Sequence, residues 1–99
     1  MIISQKNAIV TGASRGLGAA LASALTDKGA KVYGLARNAT ALKALQDKLG
    51  NMFLPVALDI TDQHAIASWV EQTFSSQVAP DILINNAGAG YFSNIDALP

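Results

Sequence analysis

Three observations predict a doubly wound parallel α/β sheet for this 99-residue chain. Short apolar runs without polar alternation, such as Ala8-Ile9-Val10 and Ile82-Leu83-Ile84, read as strands buried on both faces. Between the runs lie stretches whose apolar residues recur at helical spacing. The two kinds of segment alternate as β-α-β-α-β-α-β with short turns. Alternation of this kind implies parallel pairing, because each crossover returns the chain in the same direction.

The first strand, Ala8 to Val10, runs into Thr11-Gly12-Ala13-Ser14-Arg15-Gly16-Leu17-Gly18. Beyond that turn Leu17, Leu21 and Leu25 recur at helical spacing with Ala20 and Ala24 beside them, predicting the first helix and its apolar stripe. Asp27-Lys28-Gly29 stops the helix, Gly29 being suited to a left-handed cap. Lys31 to Leu35 is the expected second strand. Asn38 or Thr40 can cap the second helix, whose Leu42, Leu45 and Leu49 share one face before Gly50-Asn51 ends it. Phe53 to Leu58 is the third strand, and Pro55, which has no amide proton to give a neighbour, points to an edge of the sheet. Thr61 or Asp62 starts the third helix, carrying Ile66, Val70 and Phe74 at four-residue spacing. Pro80-Asp81 breaks the chain before the fourth strand, Ile82 to Ile84.

Right-handed crossovers put the first two helices on one face of the sheet. The third crosses to the other face if strand four lies beside strand one, giving the order 3-2-1-4 of a Rossmann-type sheet. Ligands of such sheets sit at the carboxyl ends of the strands, near the switch between strands one and four. The glycine turn and the residues after Ile84 both fall there. A strand that turns into a helix through glycines suits a phosphate. Missing side chains let a diphosphate approach the backbone, and the free N–H groups of the helix face it with a partial positive charge. No Gly-Lys-Ser/Thr follows the turn, which disfavours a phosphate-loop nucleotidase.

Composition narrows the classes. Seven basic residues balance seven acidic ones, so nothing points to nucleic acid or to an anionic membrane surface. The absence of cysteine excludes disulfides, thiol catalysis and cysteine-ligated metal. His64, the single histidine, is expected on the exposed start of a helix without partners for a metal. Trp69 is expected in packing. The amino terminus, Met1-Ile2-Ile3-Ser4-Gln5-Lys6, lacks the order of a signal peptide, and no apolar run is long enough to span a bilayer, so a cytoplasmic location is expected. The chain is 51% hydrophobic and only 14% charged, against a usual charged share of about 25%. Small domains need polar residues to cover their surface. This one therefore reads as a piece covered by something else, either a partner subunit of a homo-oligomer or the rest of a longer chain.

The sequence resembles the short-chain dehydrogenase/reductase family. Thr11-Gly12-x-x-x-Gly16-x-Gly18 is similar to that family's cofactor motif, and Asn85-Asn86-Ala87-Gly88 to the motif after its fourth strand. Asp59, just beyond strand three, matches the family's adenine-contacting acid. The resemblance covers essentially the whole chain. It implies a nicotinamide cofactor with Ser14, Arg15 and Leu17 around the phosphates, Asp59 and Ile60 beside the adenine, and Asn86, Ala87 and Gly88 beside the adenosine ribose. Each role has a plainer competitor: Asp59 can cap the turn into helix three, and Asn85 and Asn86 can serve as turn formers.

Cofactor choice can be argued from charge. An NAD enzyme commonly places an acid at the end of strand two to bind both ribose hydroxyls. Here Ala36 stands at that place, followed by Arg37 and Asn38. A carboxylate there would repel a 2′-phosphate, whereas a guanidinium grips it with paired, charge-assisted hydrogen bonds. Arg15 offers a second cation from the glycine turn. NADP(H) is therefore expected over NAD(H).

The family's chemistry, by resemblance, uses a tyrosine with a lysine four residues later, a serine, and often an asparagine. Tyr33 is followed at that distance by Arg37 and Tyr91 by Ile95, so no catalytic residue is carried over. Residues 1–99 are thus expected to be the dinucleotide-binding half-domain, incomplete at its carboxyl end, of an oxidoreductase that exchanges hydride with a carbonyl or alcohol. The alternatives are a non-catalytic NADP(H)-binding module and a purely structural fragment.

Overall fold

The computed structural model describes residues 3–14, 16–75 and 79–85. The elements follow the expected order: β1 (Asn7–Thr11), α1 (Gly16–Asp27), β2 (Lys31–Ala36), α2 (Ala39–Leu49), β3 (Phe53–Ala57), α3 (Gln63–Thr73) and β4 (Ile82–Asn85). All pairings are parallel and the spatial order is β3-β2-β1-β4. A Rossmann-type α/β sheet is therefore what this sequence forms.

Strand alternation sorts the core into two layers. Ala8 and Val10 of β1, Val32 and Ala36 of β2, and Phe53 of β3 join Ala22 and Leu25 of α1 and Leu42 of α2. On the opposite face Ile9 and Leu35 meet Phe74, with Tyr33, Val56, Trp69 and Val70 packed against them. The first two helices thus share one face and α3 takes the other. Between Tyr33, Trp69 and Phe74 every ring pair is edge-to-face, with centroids 5.2 to 5.7 Å apart. Trp69 is a packing residue, as expected, and His64 lies exposed at the start of α3.

The edges of the sheet differ. Pro55 lies in the outer strand β3, where one side needs no hydrogen-bonded neighbour. On β4, Ile82 and Ile84 turn toward the first core layer, while Leu83 on the other face remains 41% exposed.

Two expectations are corrected. The stripe of α1 that meets the sheet is Gly18, Ala22 and Leu25, not Leu17, Leu21 and Leu25. Leu17 is 64% exposed and Leu21 half-buried. Both stripes have helical spacing, so periodicity does not choose between them; small residues win because they let the helix axis approach the strands. Phe74, in turn, lies just past α3 as its cap, its N–H donating to the Val70 carbonyl at 2.9 Å.

The helix starts are set by side chains. Asn38 Oδ1 accepts the Ala41 N–H at 2.9 Å, and Asp62 Oδ1 accepts the Ala65 N–H at 3.1 Å, so of the paired candidates Asn38 and Asp62 are the caps.

Candidate functional site

The carboxyl ends of β1, β2 and β3 lie side by side, and the turns leaving them carry most of the candidate residues. Thr11 closes β1, only 3% exposed. Gly12 follows with φ +64°, a left-handed conformation that favours glycine. Its N–H donates to the Leu35 carbonyl at 2.8 Å, and the Ala13 N–H reaches the same oxygen at 3.4 Å. The first half of the turn is thereby tied down on β2.

The second half opens outward. Ser14 is half-buried, and Gly16 begins α1 with φ +61°. Among the described residues a Cβ at Gly16 would meet nothing within 4 Å, so the left-handed φ, not crowding by them, favours glycine. Leu17 stands exposed beside it while Gly18 is buried against the sheet. The first turn of α1 contains no acidic residue to oppose the partial positive charge of the helix end.

Strand β4 completes this corner. Thr11 is registered against Leu35 on one side and Asn85 on the other. Its hydroxyl donates to Asn85 Oδ1 at 3.0 Å, and the Ile84 carbonyl lies at 3.5 Å. A side-chain bond therefore joins the glycine motif to the first residue of the Asn-Asn-Ala-Gly motif.

At the end of β2, buried Ala36 gives way to exposed Arg37 and then to Asn38, whose side-chain oxygen is engaged in capping α2. Beyond β3, exposed Asp59 uses Oδ1 to accept both the Thr61 N–H at 2.9 Å and the Thr61 hydroxyl at 2.6 Å. These two bonds, the hydroxyl first, hold the carboxyl below its ordinary pKa against a slight opposing effect of burial, and the positive charge of Arg37 adds to the lowering. Arg37 and Asp59 are thus electrostatic neighbours across adjacent strand ends. Ile60 is half-buried in the α3-side layer.

The fold therefore brings together Gly12, Ser14, Gly16, Leu17, Gly18, Arg37, Asn38, Asp59 and Ile60. Arg15, Asn86, Ala87 and Gly88 lie outside the described residues, as do Tyr91 and Phe92. Two features escaped the sequence reading. One is the Thr11–Asn85 bond, whose signal was a polar residue ending an otherwise buried strand. The other is Gly34 in the middle of β2, where a glycine inside a strand marks a close approach.

An open groove of about 390 Å³ lies between the carboxyl ends of α1 and α2, lined by Ser23, Thr26, Asp27, Lys48 and Leu49. It sits at the opposite end of the sheet from the glycine turn. Among the described residues no group of three His, Cys, Asp or Glu could hold a metal, and no helix is long and apolar enough to cross a membrane.

The family model for short chain dehydrogenases matches residues 6–98. The chain is 42% identical over 81 residues to a "Probable NADP-dependent dehydrogenase" of Haemophilus influenzae, covering 82% of this chain and 32% of that protein. It is 43% identical over 83 residues to the 3-oxoacyl-(acyl-carrier-protein) reductase FabG of Escherichia coli, covering 84% of this chain and 34% of the reductase. A third relative, "Probable NADP-dependent dehydrogenase in aabA 3'region" of Dichelobacter nodosus, is 41% identical over 80 residues, 81% of this chain and 76% of its own length. The chain thus spans about a third of the length of the first two relatives.

Proposed function

Because this chain belongs to the short-chain dehydrogenase family, we propose that residues 1–99 form a dinucleotide-binding unit that holds NADP(H) in preference to NAD(H). The observation that carries the proposal is the end of β2. Buried Ala36 stands where an acid would hold the ribose hydroxyls of NAD, and exposed Arg37 follows it. A guanidinium offers a 2′-phosphate paired, charge-assisted bonds, each contributing roughly 1.5–3 kcal/mol, or about ten- to a hundredfold in affinity. Two relatives whose names contain the words "Probable NADP-dependent dehydrogenase" agree with that choice.

The residues present fit the cofactor. None of the described residues crowds the backbone at Gly16, and no acid in the first turn of α1 opposes an anion. In this reading Gly12, Ser14, Arg15, Gly16, Leu17 and Gly18 surround the diphosphate, and Arg37 and Asn38 border the 2′-phosphate. Asp59 and Ile60 flank the adenine, and Asn86, Ala87 and Gly88 flank the adenosine ribose. Asn38 would act through its backbone and position, since its side-chain oxygen is held by the helix cap. Asp59 keeps Oδ2 without a donor among the described residues, so its turn-forming bonds leave an acceptor for a base amine.

When bound, the cofactor supplies or accepts hydride at its nicotinamide ring. The chain's part is to bind and orient it. Proton transfer and contact with the carbonyl or alcohol substrate are assigned to no residue within 1–99. The protein is proposed to work in the cytoplasm as a homo-oligomer.

Titration of the purified protein with NADPH and NADH, before and after Arg37→Ala, tests the reading. Wild type should bind NADPH more tightly, and the substitution should weaken NADPH by ten- to a hundredfold while leaving NADH within about twofold. Equal losses for the two cofactors would remove Arg37 from the 2′-phosphate.

A further inference from the structure

The glycine turn is supported from below by a slot in β2. Gly34 is registered between Val10 of β1 and Pro55 of β3. A Cβ built on it would fall well inside contact distance of Phe53 Cζ, 2.5 Å from Phe53 Cε1 and 3.1 Å from the Ala13 Cβ. The tip of the Phe53 ring therefore occupies the space a side chain at residue 34 would need, and Ala13 of the turn rests beside it. Phe53 and Ala13 are both fully buried.

Ala13 is held in two ways at this point. Its N–H and that of Gly12 share the Leu35 carbonyl, one residue from the slot, and its methyl group borders the space over Gly34. The packing beneath the turn thus fixes how far its backbone stands from β2. Ser14 and Gly16, the open half of the turn, inherit that position. Interiors packed at this density pass a displacement on to their neighbours rather than absorbing it. Hydrogen bonds to an anion weaken steeply when donors shift or tilt.

We propose that Phe53, acting through the slot at Gly34, is a positioning residue that sets the height of the glycine turn and with it the affinity for a dinucleotide diphosphate. The inference rests on the cofactor reading above. It assigns a site role to an edge-strand aromatic whose own position is in the core.

Two substitutions and two ligands separate positioning from general stability. Gly34→Ala crowds the slot; Phe53→Leu trims the ring tip and makes room again. NADPH carries the diphosphate, whereas adenosine 2′-monophosphate occupies only the Arg37 end and lacks it. In the intact, folded protein Gly34→Ala should weaken NADPH about tenfold and leave adenosine 2′-monophosphate within about twofold. Adding Phe53→Leu should recover most of the NADPH affinity.

Unchanged NADPH affinity in folded Gly34→Ala overturns the inference, and so does equal loss of both ligands without recovery in the double variant. Should Gly34→Ala not fold, Phe53→Leu alone is read by the same two titrations. A selective NADPH loss of about threefold or more supports positioning, and wild-type affinity overturns it. Folded wild-type protein that fails to bind NADPH overturns the cofactor reading itself and the inference with it, which is distinct from binding that ignores the slot.

Discussion

Thr11→Val removes one hydroxyl and changes little else, and it tests whether the side-chain bond between β1 and β4 holds the corner of the sheet together. Thr11 is 3% exposed, so water cannot replace what is lost. The Thr11 hydroxyl donates to Asn85 Oδ1 at 3.0 Å. A hydrogen bond of this kind contributes about 0.5–1.5 kcal/mol net, and stranding part of a half-buried partner brings the expected cost to about 1–2 kcal/mol. Thr11→Ser keeps the bond and deletes a buried methyl group, at about 0.8 kcal/mol. For a chain of this size each kcal/mol corresponds to roughly 4–8 °C in Tm. Urea unfolding followed by Trp69 fluorescence gives the stabilities, and amide exchange locates the change. Valine should speed exchange in β4 selectively, while serine should leave β4 protected. If valine is within 0.3 kcal/mol of wild type, on the order of measurement error, or if serine loosens β4 more, the bond has no structural role.

Two further outcomes follow from local geometry. Gln5 has φ +67°, in the left-handed region that costs an L side chain about 1 kcal/mol, so Gln5→Gly should raise Tm, and a fall in Tm would show that the side chain compensates. For Asp59 the folded pKa lies below the ordinary 3.8, so its contribution to stability is present above the unfolded value and is lost as pH falls through the folded one. Carboxyl carbon NMR should place the Asp59 midpoint below 3.8 and move it upward in Thr61→Val, the Thr61 hydroxyl being the largest cause of the lowering; no movement would assign the lowering to other groups.

How far the sequence reaches is visible at individual residues. Strand order was legible because apolar runs without alternation, separated by helical stretches, leave few right-handed topologies. Pro55 marked the outer strand by the amide proton it lacks. The face of α1 was not legible, since Leu17-Leu21-Leu25 and Gly18-Ala22-Leu25 both recur at helical spacing and only the closeness of the sheet separates them. The Gly34 slot was hidden for another reason. Phe53 is opposite Val32 in the register and reaches Gly34 along the strand, a relation that one-dimensional spacing does not contain. At Asp59 the turn uses only Oδ1 among the described residues, so the turn role does not by itself exclude the proposed adenine contact.

The place of β1 in the sheet has a consequence in time. This strand is made before both of its neighbours, β2 and β4, and the hydroxyl of its last residue bonds one 74 positions later. At synthesis rates of 5–20 residues per second, β1 waits about 4–15 s for that neighbour. No local hairpin can shorten the wait, because parallel neighbours are joined only by long crossovers. Throughout that interval one flank of β1, a strand buried in the fold from Ala8 to Thr11, is open to any other nascent chain. Among the four described strands, the pairing at the corner where the two sequence motifs meet is therefore the last to form.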